Sequence, residues 1–506
     1  MRGAIAAGHP LTAQAGARVL EEGGNAVDAC IAAAFASWVA ESPLTGPGGG
    51  GFMLVHRARD GSTRVLDFFV TVPGLGLRRR SAAEMTEVSV GYEAKGSQAF
   101  HIGAASCAAP GMVAGLEKAY AAYGSLPWKT LIEPAVELAR RGVELTRQQA
   151  YLHAIVDLIL RHSEEGRAIY GRRKPLTAGS RLVQSDLAET LETIAASGAS
   201  ALHGGALGRA LSKFVREQGG EITLRDLAEY RVIRRRPIRA RFLGHEIDSN
   251  PPPSSGGVLI GYGLALLDRL GVGGRPGSAE AMAQLVEIMR EQSRARGGPF
   301  SRDLYRGGLV KRLYAKRSLD EAVERAGSPN TTHISVVDER GNAASLSATI
   351  GAGSGMIVPG TGIHVNNMLG ELDLAGATRP GARITSMMAP SLVLRDGRPR
   401  LVVGSAGSVR LRGAILQIVV NAVAHDLPVD DAIARPRVHF EEPQVHCEGG
   451  GEAEEIERLE SWGYDVVRWQ RRNLYFGGAA AVEMRTDGTL AAAGDPRRGG
   501  AGIVVQ

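Results

Sequence analysis

The spacing of apolar residues divides this chain into two differently patterned parts. Before about residue 330, apolar residues recur mostly at helical spacing, with short strand-like runs such as residues 52–57 between them. Beyond that point strand-like runs dominate. The pattern predicts a mixed arrangement of helices and strands, with no internal repeat and no linker between independent domains. The predicted helices cover residues 12–22, 131–141, 258–270, 280–294 and 411–424, and the later strands cover residues 331–338, 343–350, 392–395 and 401–403.

A β-hairpin is predicted at the start of the second part. Residues 331–338 alternate β-branched and polar side chains, and a turn-forming segment, residues 338–342, leads into the run 343–350. Antiparallel pairing across this turn brings Thr349 back beside Thr331. Taken alone, the pattern is also typical of an ordinary half-buried strand.

The sequence before the hairpin gives Thr331 a candidate chemical role. Residues 296–330 are charged and irregular, which predicts an exposed loop open to cleavage. If the bond between Asn330 and Thr331 is cut, Thr331 gains a free α-amine with a reference pKa of about 8. Its hydroxyl then attacks a carbonyl while the amine accepts the proton, so one residue supplies both nucleophile and base.

Composition excludes several classes of function. With 44% hydrophobic and 22% charged residues among 506, the chain is expected to fold as a globular protein. It shows no membrane-length apolar run and no signal-peptide pattern, so a cytoplasmic location without a membrane partner is expected. The net charge is +6, and the densest basic run, residues 231–241, lacks interleaved aromatics, which argues against nucleic-acid binding. Cys30, Cys107 and Cys447 form no disulfide or zinc pattern and are expected to be buried thiols.

Other catalytic motifs receive little support. Residues 46–51 fit GxGxxG, but they lead into a strand-like run, whereas a dinucleotide-binding loop opens a helix. The sequence contains no phosphate-binding GxxxxGK[ST] loop, HExxH zinc motif or GxSxG nucleophile elbow. His333 lies on the same strand face as Thr331, and a structural role is the favoured interpretation for it.

A series of short motifs carries a resemblance to a known family. In this order and spacing, the chain resembles the γ-glutamyltransferases of the N-terminal-nucleophile (Ntn) hydrolase superfamily along nearly its whole length. The motifs are LEEGGNAVDA (20–29), GGGGFM (48–53), APGMVAG (109–115), PPPSSGG (251–257), PGTGI (359–363), NN (366–367), PS (390–391) and GSAGS (404–408).

This resemblance implies an α+β fold, the αββα four-layer sandwich of Ntn hydrolases. Fragments 1–330 and 331–506 are then expected to interleave in one structural domain and to remain together as a heterodimer, with a dimer of heterodimers as a further expectation. Neither a metal nor an organic cofactor is implied. The expected partner is a small-molecule amide or keto-acid substrate.

The resemblance also implies catalytic roles. Thr331 is the expected nucleophile, and the residue matching Thr349 hydrogen-bonds the nucleophile's hydroxyl in the family. The N–H groups of Gly407 and Ser408 occupy the position of the family's oxyanion hole.

The positions that bind a γ-glutamyl group depart from the family. Phe69 stands where the family has a carboxylate-binding arginine, which predicts poor binding of a standard glutamyl group. Arg383 and the triplet at residues 78–80 are candidate replacement cations. The other expected substrate-binding positions are Gly351 for an asparagine, Met368 for a glutamine, Glu371 for an aspartate, and Thr385 with Ser386 for a serine pair.

Three functions therefore stay open at this point. The first is a γ-glutamyltransferase-like amide hydrolase or acyltransferase, and the second is a related enzyme with a non-glutamyl substrate, either an acylase or an enzyme that cleaves C–C bonds in antibiotic pathways. The third is an unprocessed scaffold without catalysis. Self-cleavage before Thr331 separates the enzymes from the scaffold.

Overall fold

Two stacked β-sheets form the centre of the protein in a computed structural model, which describes residues 1–92, 96–297, 299–315, 332–371, 378–407 and 410–506. The strands of the described residues are β1 (Gly3–Ala7), β2 (Gly50–Arg57), β3 (Ser62–Phe68), β4 (Thr86–Tyr92), β5 (Gly96–Ile102), β6 (Val143–Glu144), β7 (Arg181–Leu182), β8 (Ile233–Arg235), β9 (Ile238–Phe242), β10 (His245–Ser249), β11 (Thr332–Asp338), β12 (Ala343–Thr349), β13 (Ile357–Val358), β14 (Ile363–His364), β15 (Ser391–Arg395), β16 (Arg398–Ala406), β17 (Val438–Glu441), β18 (Gln444–Cys447), β19 (Val466–Arg468), β20 (Gly478–Met484), β21 (Leu490–Gly494) and β22 (Ala501–Val505).

The first sheet mixes strands from both parts of the chain. Its seven strands run in the order β22-β1-β11-β12-β2-β3-β8, and every neighbouring pair is antiparallel. Strand β1 therefore lies between two strands that come from the region after residue 330. The second sheet has six antiparallel strands in the order β21-β20-β16-β15-β10-β9.

Helices cover the outer faces of both sheets. The α-helices of the described residues are α1 (Pro10–Glu21), α2 (Ala26–Ala40), α3 (Met112–Tyr123), α4 (Trp128–Arg141), α5 (Arg147–Ile155), α6 (Asp157–Leu160), α7 (Glu164–Tyr170), α8 (Ser185–Ser197), α9 (Ser200–His203), α10 (Ala206–Glu217), α11 (Leu224–Ala228), α12 (Gly256–Leu270), α13 (Ala279–Ala295), α14 (Phe300–Arg306), α15 (Leu309–Leu313), α16 (Leu411–Val423), α17 (Val429–Ala434) and α18 (Ala453–Ser461).

Helix α2 shows how the sequence determines one outer layer. Asn25 and Asp28 form a capping box that starts the helix, because each side chain accepts a hydrogen bond from the other's backbone N–H. All its residues are buried and most are Ala or other apolar residues, which suits a helix enclosed on every side. It packs on α1, α4, β11 and β12.

Two apolar cores separate the layers, as period-two alternation along the strands requires. Ile334 and Val336 of β11 point into the core between the first sheet and α1, α2, α4 and α8. Val337 points into the second core, which lies between the sheets and continues to α12 and α16. The layers are therefore helix, sheet, sheet and helix, so the predicted α+β four-layer sandwich is confirmed.

The expectation of an irregular loop from residue 296 onward is wrong for its first half. Helices α14 and α15 lie there, and Phe300, Leu304 and Leu309 are buried as part of the second core. Phe300 and Leu304 are four residues apart, so they share one helix face. Because charged residues surround these few apolar positions, the helical spacing is difficult to recognise in the sequence. Residues 316–331 lie outside the described part.

Two further expectations from composition can be compared with the structure. Cys30, Cys107 and Cys447 are buried free thiols, as predicted. Among the helices in the described ranges, none combines the length and apolar character needed to cross a bilayer.

Candidate active site

The β11–β12 hairpin places Thr349, one of the predicted catalytic residues, at one end of the first sheet. Thr332 pairs with Ala348, and Val337 pairs with Ala343. At the other end of the hairpin, Asp338 fixes the turn, because its carboxylate accepts hydrogen bonds from the backbone N–H groups of Arg340 and Asn342 at 3.0 Å. Thr331, Asn330 and Ser408 lie outside the described residues, so the predicted roles of these three stay predictions.

Thr349 ends β12 at this edge of the sheet. Its side-chain oxygen accepts a hydrogen bond from the backbone N–H of Gly351 at 2.7 Å, and the residue is 8% exposed. An acceptor role leaves the hydroxyl proton of Thr349 available for another partner. This hydrogen bond also orients the side chain of Thr349 toward the backbone of Gly351.

Gly407 follows β16 directly and occupies a conformation that favours glycine. Its φ is +136°, and a Cβ at this position would stand 2.5 Å from the Cα of Gly477. The close approach of the segment around Gly477 therefore requires glycine at position 407. This packing explains the second glycine of the GSAGS motif. The role of the Gly407 N–H in an oxyanion hole stays a prediction.

His333 lies between the two sheets and is fully engaged. Its Nδ1 lies 2.9 Å from Ser347 Oγ, and its Nε2 lies 2.9 Å from Ser335 Oγ. Ser335 donates its own proton to the carbonyl of Ala480 at 3.1 Å, so His333 Nε2 carries the ring proton and Nδ1 accepts from Ser347. Burial lowers the pKa of His333 to about 3, so the ring is neutral at ordinary pH. The structural role favoured from sequence agrees with these contacts.

The predicted substrate-binding residues Gly351, Met368 and Glu371 come together. A Cβ on Gly351 would stand 3.0 Å from Met368 Cε and 2.7 Å from Glu371 Oε1, and it would overlap Asn367 Oδ1. The φ of Gly351 is +71°. The asparagine that the family has at position 351 therefore has no room here unless its neighbours move.

Phe69 does not point toward a polar substrate group. It is 0% exposed and stacks on Phe52, with ring centroids 5.5 Å apart, in the core between the sheets. Its backbone carbonyl accepts a hydrogen bond from the hydroxyl of Tyr230 at 2.7 Å. The change from arginine to phenylalanine is thus accommodated as core packing.

Two of the candidate replacement cations, Arg383 and Arg80, already have partners. Arg383 is 7% exposed and forms an ion pair with Asp67 at 3.1 Å. Its other nitrogens donate to the Tyr230 hydroxyl and to the carbonyls of Phe69 and Arg231. Arg80, in the triplet at residues 78–80, pairs with Glu221. Arg383 therefore holds the chain around Phe69 in place, and a substrate carboxylate would have to compete with Asp67 for it.

Thr385 and Ser386 belong to a segment that contacts the PPPSSGG motif at residues 251–257. Thr385 donates its hydroxyl proton to the carbonyl of Pro253 at 2.7 Å. Ser386 Oγ accepts from the Met388 N–H at 3.0 Å, while its carbonyl accepts from Ser254 Oγ at 2.9 Å. Both hydroxyls thus stabilise this buried contact, and the substrate-binding role of the pair stays a prediction.

Sequence reasoning missed two arginines at the start of α16. Arg410 is 5% exposed, and its guanidinium lies 4.3 Å from the ring centre of Tyr475. Arg412 is 0% exposed in the first turn of the helix. The signal was present in the sequence, because two arginines open a helical run that is otherwise apolar. No group of three or more His, Cys, Asp or Glu side chains able to hold a metal ion occurs in the described ranges.

The four-layer arrangement, with a threonine expected at the open end of the central hairpin, is the architecture of the Ntn hydrolases. The family model described as gamma-glutamyltranspeptidase matches residues 12–505, so the chain belongs to this family. It is accordingly an enzyme of the hydrolase and acyltransferase class that acts on amide bonds.

Individual relatives extend over the whole chain. It is 34% identical to the acylase ACY 1 proenzyme of Pseudomonas sp. strain SE83, over 100% of this chain and 94% of that protein. It is 31% identical to the glutathione hydrolase proenzyme of Escherichia coli strain K12, over 98% of this chain and 90% of that protein. The crystal structure of a cephalosporin acylase from Bacillus halodurans has the same fold, with a TM-score of 0.85 and 23% identity, over 99% of this chain and 95% of that one.

Proposed function

We propose that this protein cleaves its own chain between Asn330 and Thr331 and then uses Thr331 as the nucleophile of an amide hydrolase. The observation that carries the proposal is the hairpin register. Thr332 pairs with Ala348, so one further step along the same ladder pairs position 331 with Thr349. Thr349 holds a hydroxyl proton that is free to be donated to the nucleophile.

The proposed chemistry has two stages. In processing, the Thr331 hydroxyl attacks the carbonyl carbon of Asn330, and the C–N bond breaks as an ester forms, which frees the α-amine of Thr331. Water then hydrolyses this ester, which releases the Thr331 hydroxyl and the carboxylate of Asn330. In turnover, that amine accepts the hydroxyl proton while Thr331 Oγ1 attacks the substrate amide, the leaving amine takes the proton away, and water hydrolyses the acyl-enzyme. The N–H groups of Gly407 and Ser408 are the proposed donors to the tetrahedral oxyanion, and removal of one such donor typically costs about 10²–10³ in rate.

We further propose that the acyl group is not a standard γ-glutamyl group. The packing of Phe69 against Phe52 and the ion pair of Arg383 with Asp67 support this, because neither side chain offers a free cation to an α-carboxylate. Charge-assisted hydrogen bonds contribute about 1.5–3 kcal/mol each, so their loss weakens γ-glutamyl binding strongly. The similarity to an acylase proenzyme points in the same direction.

A second function keeps the same nucleophile and changes the bond that is broken. Phe69 and Met368 are both buried and apolar at positions where the family has polar groups, which favours a less polar substrate. Cleavage of a C–C bond in a keto acid, suggested by resemblance, is the corresponding alternative.

We propose that fragments 1–330 and 331–506 stay together as a heterodimer after cleavage. The interleaved strands of the first sheet support this, because β1 is hydrogen-bonded on both sides to strands of the later fragment. Separation of the fragments would therefore break a continuous sheet.

Intact-mass measurement and amino-terminal sequencing of the purified protein test the proposal. We expect two chains with amino termini at Met1 and Thr331, and a single chain for Thr331→Ala. A γ-glutamyl 4-nitroanilide is expected to be turned over poorly, with kcat/KM below about 10⁴ M⁻¹s⁻¹, the lower end of the ordinary range. A chain that stays intact would remove the proposed mechanism, and efficient γ-glutamyl turnover would remove the proposed specificity.

A further inference from the structure

The first turn of α16 holds a buried arginine without a counter-charge. Arg412 is 0% exposed, and within the described ranges none of its three guanidinium nitrogens has a hydrogen-bond partner. A buried charge is strongly unfavourable unless it is paired and hydrogen-bonded. The helix begins four residues after Gly407, so the unpaired charge lies close in sequence to the proposed oxyanion donors.

A second unpartnered group adjoins this arginine. His439 of β17 is 2% exposed, and neither of its ring nitrogens has a hydrogen-bond partner in the described part of the chain. Its Nδ1 lies 3.6 Å from the point where a Cβ on Gly413 would stand, so the ring lies against the first turn of α16. The N-cap residue Arg410 makes no side-chain cap, so no side chain at that position offsets the positive end of the helix dipole.

Among the described residues, the charged side chains that act electrostatically on this pair are arginines. Arg296, at the end of α13, acts electrostatically on Arg412, while Arg410 and His446 act on His439. The nearby carboxylate of Glu441 accepts a hydrogen bond from the Tyr475 hydroxyl at 2.7 Å, and its electrostatic effect falls on His446. Burial, with a smaller effect of Arg296, holds the pKa of Arg412 well below its usual range.

Other arginines of the same protein show that this arrangement is unusual. Arg437 and Arg497 are also buried, but they share Asp495, at 2.7 Å and 3.0 Å, and Arg497 also pairs with Glu448. The chain thus supplies carboxylates where a buried arginine has a structural role. Among the described residues, no carboxylate pairs with Arg412 in this way.

We propose that Arg412, together with His439 and the amino terminus of α16, binds a carboxylate group of the substrate. This inference rests on the proposed amide hydrolysis and specifies its substrate class. A guanidinium can bind both oxygens of a carboxylate, and the helix terminus and a neutral imidazole N–H add further donors. The protein then recognises a negatively charged substrate at a different place from its γ-glutamyl-binding relatives, which explains how Phe69 can replace an arginine.

Four chromogenic amides test this assignment in the processed enzyme. Glutaryl and pentanoyl groups differ by a terminal carboxylate, and each is joined either to 4-nitroaniline or to 3-carboxy-4-nitroaniline. We expect kcat/KM to be at least about tenfold higher for a carboxylate-bearing amide than for the neutral one, which is the lower end of the effect of a hydrogen bond to a charged group. Arg412→Gln should bring this ratio close to one, and Arg412→Lys should restore part of it. If the carboxylate of the glutaryl group raises kcat/KM, the acyl group occupies the site. If the carboxylate of the aniline does so, the leaving group occupies it.

Thermal unfolding supplies a readout that does not need turnover. Arg412→Gln should leave Tm unchanged or raise it, because the variant removes an unpaired buried charge. The matched control is Arg400→Gln, which should lower Tm because Arg400 pairs with Glu483 and, at 3.2 Å, with Asp426. Added glutarate should raise Tm of the unaltered enzyme and of Arg400→Gln, but not of Arg412→Gln.

Different results would overturn the two proposals separately. A chain that stays uncut, or that turns over none of the four amides, contradicts the proposed function, while calorimetric titration with glutarate still reports on the Arg412 site. A charge preference that survives in Arg412→Gln, or glutarate that stabilises both proteins equally, contradicts the site. Acceleration of neutral-amide cleavage by added glutarate would identify an effector anion and contradict the substrate assignment.

Discussion

At the scale of single residues, the polar groups near the end of β12 are held by backbone contacts. The Thr349 hydroxyl receives the Gly351 N–H, and Gly351 adopts a positive φ with its Cα against Met368, Glu371 and Asn367. A side chain added at position 351 would displace these neighbours, because its Cβ would stand 3.0 Å from Met368 Cε and nearer still to the other two. The residues at positions 351, 368 and 371, each of which differs from the residue that the family has there, therefore lie against one another.

Thr349→Val is expected to slow both processing and turnover by about tenfold, a cost of about 1.4 kcal/mol in transition-state stabilisation. Valine preserves the branched shape of threonine and removes the hydroxyl that is proposed to donate to Thr331. Thr349→Ser keeps the hydroxyl and is the matched control. Time courses of chain cleavage and single-turnover rates measure the effect. Equal rates in all three proteins would show that Thr349 serves only the fold.

At the scale of elements, the two sheets approach each other closely at Gly404 and His333. A Cβ on Gly404 of β16 would overlap the His333 ring, which itself bonds to Ser335 and Ser347. The spacing of the two sheets at this point is therefore fixed by one glycine and one histidine.

Gly404→Ala is expected to lower the free energy of unfolding by about 1–3 kcal/mol, the usual cost of overpacking a core. Gly91→Ala is the matched control, because Gly91 is also in a strand and a Cβ there would meet no atom within 4 Å. The control should stay within about 0.5 kcal/mol of the unaltered protein. Urea titration of both variants gives the comparison. The packing argument fails if Gly404→Ala proves as stable as Gly91→Ala.

The sequence predicted helices and strands well where the apolar residues follow a single spacing, either helical or alternating. Helices α12, α13 and α16 and the β11–β12 hairpin lie within a few residues of the predicted ranges, because their apolar spacing matches one side of a core. Helices α14 and α15 were missed, since Phe300, Leu304 and Leu309 are few and stand among charged residues. Family motifs indicated which residues belong to the site, but they could not show that Arg383 is already paired or that Arg412 is not. Those facts depend on the neighbours that tertiary packing brings together.

At the scale of the whole molecule, several buried histidines make stability depend on pH. Burial lowers the pKa of His333 to about 3 and the pKa values of His9, His153 and His364 to about 4. In the unfolded chain these rings have a pKa near 6.5 and bind protons more readily. The folded state therefore loses stability as the pH falls below about 6.5, and the loss continues down to about pH 4.

We expect Tm to fall steadily between pH 6.5 and pH 4.5 and to change little between pH 7 and pH 8. Each of these four histidines contributes up to about 1.4 kcal/mol per pH unit in this window. His153→Gln removes one of them and should reduce the slope. Calorimetric scans in buffers of equal ionic strength measure the effect. A Tm that is constant down to pH 4.5 would contradict the burial of these neutral rings.

The pairing of β22 with β1 has a consequence for how the protein can be encoded. The backbone N–H of Arg2 donates to the carbonyl of Val505 at 2.9 Å, so the two ends of the chain are neighbours on the first sheet. The mature enzyme proposed above, with chains 1–330 and 331–506, therefore has the chain order of a circular permutant of its precursor. It differs from that permutant only in lacking a link between position 506 and position 1. A gene that begins at Thr331, joins position 506 to position 1 through a short flexible linker and stops at 330 should yield the same fold. Once the start methionine is removed, this single chain should cleave amides without any self-cleavage, and the same permutant with Thr331→Ala should be inactive. An inactive but folded permutant would mean that the processing reaction itself shapes the site.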